Sequence, residues 1–298
     1  MVFGIQQVAL LALLAFLRPG PGSDASPIVR SQHYSFYSDR PEIYLRAIEE
    51  YRRGGGPHYQ ELTGGISGGI LPHHFVAHRM MVDLFENLKL HARPTRIILI
   101  GPDHYRKGRA PITVSSLDWK TPFGMLRTDQ GTAADLRARL GVEKDDEAFS
   151  GEHSVGVIIP FVRHYFPDTR VLTILVKKQV PISMQRTFDE WLTGRLKDTH
   201  TIVLLSMDFS HYQTPDEADR RDSLSGRAIL ELNESLVDQL DIDCHFGFRA
   251  LLHALNNRGR MKPLICNHTN SARILRRPEI KSVTSYHTVI FLRTEGDS

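Results

Sequence analysis

Four short polar clusters carry the residues best suited to chemistry: Pro72-His73-His74, Gly101-Pro102-Asp103-His104, Gly151-Glu152-His153-Ser154 and Asp208-Phe209-Ser210-His211. Neutral imidazole is the commonest side-chain ligand for zinc, copper and iron, so His73, His104 and His153 point first to a transition metal. Asp103 and Glu152 can each accept a hydrogen bond from the second ring nitrogen of a ligating histidine and so fix its tautomer. Asp208 and His211 suit substrate binding and proton transfer beside such an ion. Taken singly, each residue also has a plainer use. Glu152-His153-Ser154 can cap a helix, His74 and His78 fall on the helix after the first cluster, and Cys244 can be a small buried apolar residue.

The placement of the clusters is what points to a site. Short β-branched apolar runs predict strands over 69–71, 96–100, 112–114, 171–176, 201–205, 262–265 and 286–292. Helical spacing predicts helices over 75–90, 130–140, 155–165, 182–196, 218–240 and 246–257. This alternation predicts an α/β single domain: a central mixed, mostly parallel sheet flanked by helices on both faces. Three of the four clusters come directly after a predicted strand, and the fourth opens a predicted helix. The C-terminal edge of such a sheet is where loops from different strands converge on a ligand.

Composition excludes little but narrows the classes. The 298 residues are 41% hydrophobic and 24% charged with a net charge of +3, an ordinary globular balance with no long basic run to suggest a nucleic-acid partner. A chain of this size buries a core without a structural metal, so an ion here is expected to be functional. Two cysteines, Cys244 and Cys266, make no disulfide framework and no zinc ribbon. Val8 to Leu17 is an unbroken apolar run, too short to span a bilayer, and Ser23-Asp24-Ala25 would serve as a cleavage site. Residues 1–26 are therefore set apart as a signal peptide or leader, with residues 27–298 as the domain. No basic residue precedes the run, so export and a cytoplasmic location both stay open. A homodimer is the default for a soluble protein of this size.

Five segments, in order, resemble the Memo-like family, protein B of the AmmeMemoRadiSam type. Residues 30–37 with 41–51 resemble its N-terminal segment and helix, Pro72-His73 its Pro-His-Ala-Gly, and Gly101-Pro102-Asp103-His104 its Gly-Pro-x-His. Glu152-His153-Ser154 resembles Glu-His-Ser-x-Glu, and Asp208-Phe209-Ser210-His211-Tyr212 matches Asp-Phe-Ser-His-Tyr. Cys244 with Gly247 then resembles the family's Cys-Gly-x-Gly, and 267–271 its closing Asn-Tyr-x-x-Ser. The resemblance implies a fold like that of the class III extradiol dioxygenases, with a cysteine in place of their metal-binding carboxylate. It implies His73, His104 and Cys244 as metal ligands, Asp208, His211 and His153 beside the metal, and copper or iron as the ion, with zinc as an alternative. Thiolate ligation would favour copper(I) or iron. The chain departs from the family at His74-Phe75, which replace Ala-Gly, at Gly156, which replaces the second Glu, and at His245, which replaces a Gly and adds a donor.

Three functions are expected from these residues. The first is a copper- or iron-dependent oxidoreductase acting on a small molecule, with His211 as acid–base. The second is a non-catalytic module holding metal or a small-molecule or peptide ligand. The third is a metal-dependent hydrolase, which would have to work without a Gly-x-Ser-x-Gly elbow.

Overall fold

The structure is a computed structural model that describes residues 32–56 and 62–294. The proposed leader lies outside the described residues, and every described element belongs to the compact unit Ser31–Ser298. Its strands are β1 (Gln32–Tyr34), β2 (Gly65–Leu71), β3 (Arg96–Pro102), β4 (Ile112–Val114), β5 (Asp118–Thr121), β6 (Gly124–Leu126), β7 (Arg170–Val176), β8 (Thr201–Ser206), β9 (Phe209–Gln213), β10 (Met261–Asn270) and β11 (Val283–Arg293). Its helices are α1 (Pro41–Arg53), α2 (His78–His91), α3 (Gln130–Leu140), α4 (His153–Gly156), α5 (Ile159–Tyr165), α6 (Ile182–Arg195), α7 (Pro215–Leu230), α8 (His245–Asn256) and α9 (Ser271–Leu275).

The main sheet runs β10-β11-β2-β8-β3-β7-β4, with β9 also paired to β11. Its centre, β2-β8-β3-β7, is parallel, and both margins are antiparallel. The central strands read as continuous apolar runs because both faces are covered. Side chains alternate across them: Ile98 and Ile100 pack with Phe188 and Trp191 of α6 and Phe248 of α8, whereas Ile97 and Leu99 pack with Ile48 of α1, Phe85 of α2 and Phe161 of α5. The fold is thus the α/β domain with a mixed sheet and helices on both faces that the sequence predicts. No helix among the described residues is long and apolar enough to cross a membrane.

The differences from the sequence reading have local causes. The predicted helix over 155–165 divides into α4 and α5, because Pro160 has no N–H for a helix interior and sits instead in the first turn of α5. The predicted helix over 218–240 stops at Leu230. Leu232 takes a positive φ of 49°, and Asn233 then caps a new 3-10 turn, Glu234–Gln239. The helix expected from 75 opens as a 3-10 turn, Phe75–Ala77, before α2. Strand β9 and a small second sheet, β1-β5-β6, had no apolar run to announce them.

Gly68 of β2 shows how tightly the centre is closed. A Cβ placed there would lie 2.5 Å from the Val203 carbonyl oxygen of β8. Backbone cannot retreat as a side chain can, so Gly68→Ala should destabilise the fold by about 1–3 kcal/mol. A urea unfolding midpoint unchanged by this substitution would contradict that packing.

Candidate metal centre

Strands β2, β8 and β3 are parallel neighbours, so the residues after them leave the sheet side by side. His73 comes after β2, Asp208 after β8, and His104 after β3. Glu152 caps α4 by accepting from the Ser154 N–H, with His153 next in line, and β9 carries His211. The remaining contribution comes from the segment before α8. There the Asp208 N–H donates to Asp243 Oδ1 (3.1 Å), which turns Oδ2 of Asp243 toward the histidines.

Three imidazoles converge on that one oxygen. Asp243 Oδ2 lies 3.3 Å from His73 Nε2, 3.5 Å from His104 Nε2 and 3.9 Å from His211 Nε2. Asp208 Oδ2 lies 3.6 Å from His73 Nε2. His73 Nε2 and Asp243 Oδ2 are both buried, and neither makes a hydrogen bond, while Asp208 Oδ2 is buried and faces His74 Nδ1. Buried polar atoms left unpaired cost roughly 1–3 kcal/mol each, so a cluster of them aimed at one point fits a bound cation. Ligands at about 2.0–2.2 Å from one ion sit about 3 Å from one another, close to the spacing observed. His73, His104 and His153 form one group able to hold a metal, His73, His74 and Asp208 a second, and Asp208, His211 and Asp243 a third, all at this edge.

The surroundings set the tautomers. The Ser206 hydroxyl donates to the Ser154 carbonyl, so its oxygen accepts from His73 Nδ1 (3.0 Å), and Nε2 of His73 is the nitrogen turned toward Asp243. His104 Nδ1 donates to Glu152 Oε1 (2.9 Å), and the His104 N–H donates to Glu152 Oε2 (3.0 Å). Burial would lower the pKa of His104, but its contacts with Asp243 and Glu152 outweigh this and raise it to about 10. Burial would raise Asp243, yet the charge of His73 and the approach of His104 hold it far below the usual carboxylate range. Burial would likewise raise Asp208, which the charges of His73 and His74 keep low.

His153 behaves oppositely. Burial, and then the neighbouring charges of His73 and His104, push it down to about 3. Its ring stacks on His104 at 4.2 Å between centroids. The unfolded chain takes up a proton at this residue below about pH 6.5, while the folded chain does not until about pH 3. Stability is therefore full above about pH 6.5 and falls by up to about 1.4 kcal/mol per pH unit beneath it. His104 adds nothing in that window, because its stabilising proton is already bound below about pH 6.5 in both states. Metal-free protein should thus show a falling denaturant midpoint from pH 6.5 to 5, above the carboxylate range, and His153→Gln should make the fall shallower, the remainder coming from His287, which burial also holds down to about 3. A His153→Gln profile as steep as the wild type would show that His153 is protonated in the fold.

The site differs from the sequence reading at named residues. His73, His104, His153, Glu152, Asp208 and His211 come together. Cys244 does not join them: its thiol is buried against Gly247, burial and Asp243 push its pKa well up, and no metal-competent group among the described residues includes it. The side chain that faces the histidines there is Asp243, one residue earlier, which the sequence reading did not single out. Asp103 accepts from the Lys107 and Gly108 N–H groups (3.0 Å each) and shapes the turn after β3. His74 pairs with Asp208 Oδ2 (2.8 Å), which outweighs burial and raises its pKa. His245 donates from Nε2 to the Leu240 carbonyl (3.2 Å) and closes the loop before α8. Gly156, where the family resemblance expects a carboxylate, packs against Phe36: a Cβ there would meet the Phe36 ring at 3.0 Å.

Fold and site together define an α/β protein whose sheet edge gathers histidines and carboxylates able to hold a metal. The Memo-like protein family matches residues 32–290, and the chain belongs to that family. Its relatives include a MEMO1 family protein of Pyrobaculum aerophilum, 29% identical over 79% of this chain and 89% of that protein, and one of Nitrosopumilus maritimus, 24% identical over 89% and 98%. Among solved structures, an uncharacterized protein of Escherichia coli K12 covers 74% of this chain and 99% of its own, with a TM-score of 0.45 and 14% identity.

Proposed function

We propose that the chain is an iron-dependent oxidoreductase acting on a small molecule, with His73, His104 and Asp243 holding the ion. The observation that carries this reading is the convergence of His73 Nε2 and His104 Nε2 on Asp243 Oδ2, at 3.3 and 3.5 Å, with two of the three atoms buried and unpaired. Two imidazoles and a carboxylate suit ferrous iron better than copper(I), which prefers thiolate and thioether. Iron held by His73, His104 and Asp243 would supply the oxygen chemistry.

The chain's own groups would do the rest. His73 is oriented by Ser206 and His104 by Glu152, so neither ring is free to turn. His211, with its side chain about a quarter exposed, reaches the same carboxylate oxygen from the solvent side and can move a proton to or from a bound substrate. Phe36 and Tyr105 flank His153, at 6.5 and 5.9 Å between ring centroids, and give the site an apolar wall.

Oxygen uptake by ferrous-loaded protein, over a panel of small oxidisable compounds, tests the proposal. His211→Gln should lower turnover by roughly 10²–10⁴-fold while leaving the iron content unchanged. Stoichiometric iron with no turnover on any compound would instead leave a metal-holding module.

A further inference from the structure

A second group of donors lies outside this centre, on the antiparallel margin of the sheet. His268 of β10 and His287 of β11 are directly paired across the strands, and Asp222 of α7 meets them. One ligand atom from each of Asp222, His268 and His287 lies within 4.8 Å of the others. We propose that these three residues form a second metal site, for a divalent ion of the zinc class.

Four observations support it. First, the carboxylate is fixed: Asp222 Oδ1 accepts from the hydroxyls of Ser210 (2.7 Å) and Ser285 (2.9 Å), leaving Oδ2 to His268 Nε2 at 2.8 Å. That spacing is a hydrogen bond, and it is also near the separation of adjacent ligands on one ion, so an ion can replace the proton with little movement. Second, His287 is 2% exposed and its Nδ1 has no hydrogen-bond partner, an unmet need rare in a buried imidazole. Burial, and then the charge of His268, keep it neutral, down to a pKa of about 3, and neutral imidazole is the ligating form. Third, the two rings stack at 4.3 Å between centroids and Phe209 packs against His287 at 4.4 Å, so part of the wall is apolar. Fourth, the His268 side chain is about one-third exposed on the sheet's edge strand, which supplies an entry path.

An ion here would tie α7 and β10 to β9, through the Ser210–Asp222 bond, and β9 carries His211 of the first centre. The site does not depend on that centre, because it shares no donor with it.

Zinc titration of the whole chain tests the proposal, with folding checked by near-ultraviolet circular dichroism. The Asp243→Asn variant, impaired at the first centre, should still bind about one equivalent of zinc, and adding His268→Gln should weaken that binding by more than about 100-fold. In Asp243→Asn, zinc should also shift the side-chain ¹⁵N resonances of both His268 and His287. The proposal fails if Asp243→Asn binds no zinc, if its remaining equivalent survives His268→Gln, or if those nitrogen resonances stay where they were.

Discussion

Asp243→Ala will lower ferrous affinity by more than about 100-fold, and Cys244→Ala will leave it close to wild type. Loss of a group that merely orients a ligand costs about 10–100-fold, so loss of a group at the ion itself should exceed that range. Asp243 Oδ2 faces His73 Nε2 and His104 Nε2, while the neighbouring thiol is buried against Gly247. Burial and Asp243 also push the thiol's pKa well up, so an ion would have to displace its proton against that burial. Cys244→Ala should register as a core change, about 1 kcal/mol of stability, with iron still bound. Asp243→Cys makes the complementary test: it restores a thiolate at the position that faces the histidines and should move preference toward softer ions such as copper(I). Anaerobic ferrous titration of the three variants reads all of this. Iron lost from Cys244→Ala and retained by Asp243→Ala would make the thiol the ligand and the Asp243 orientation wrong.

The same pair of residues shows where sequence reading stops. His73 and His104 were legible because each ends an apolar strand, and strand ends in a parallel sheet share one edge. Asp208 and His211 were legible as part of a matching motif. No such rule fixes the Asp243-Cys244 step, which lies in irregular chain before α8 with Cys244 at the helix cap. There a one-residue offset decides which side chain faces the histidines, and family likeness drew attention to the cysteine. Strand β9 was illegible for a related reason. Its five residues include Ser210 and Tyr212 at positive φ, 29° and 58°, and its pairing with β11 is irregular, so no clean alternation marks it. The second metal group was hidden differently, since Asp222, His268 and His287 lie on three elements whose contact is set by packing alone.

Glu152→Gln will weaken metal binding by about 10–100-fold and will also change its dependence on pH, which separates an electrostatic role from a merely structural one. Glu152 is 1% exposed and accepts from His104 Nδ1, the His104 N–H and the Ser154 N–H. Glutamine can meet one or two of these donors, but its amide nitrogen must then face another donor. Alanine leaves all three unpaired and should cost about 3 kcal/mol or more, so glutamine is the informative variant. In the wild type, His104 carries a proton up to about pH 10, and an ion must displace it. Affinity should therefore climb by about tenfold per pH unit from neutrality toward about pH 10, as proton competition fades. With the Glu152 charge removed, His104 loses part of what raises its pKa, and the climb should level off at lower pH. Two effects thus oppose each other near neutrality: a less basic, less firmly held imidazole binds the ion more weakly, but it has less proton to lose. The first persists at high pH and the second does not, so the gap between wild type and variant should widen as pH rises. A constant gap at every pH would mean that Glu152 only holds the loop in shape, and the charge it lends to His104 would have no part in binding the ion.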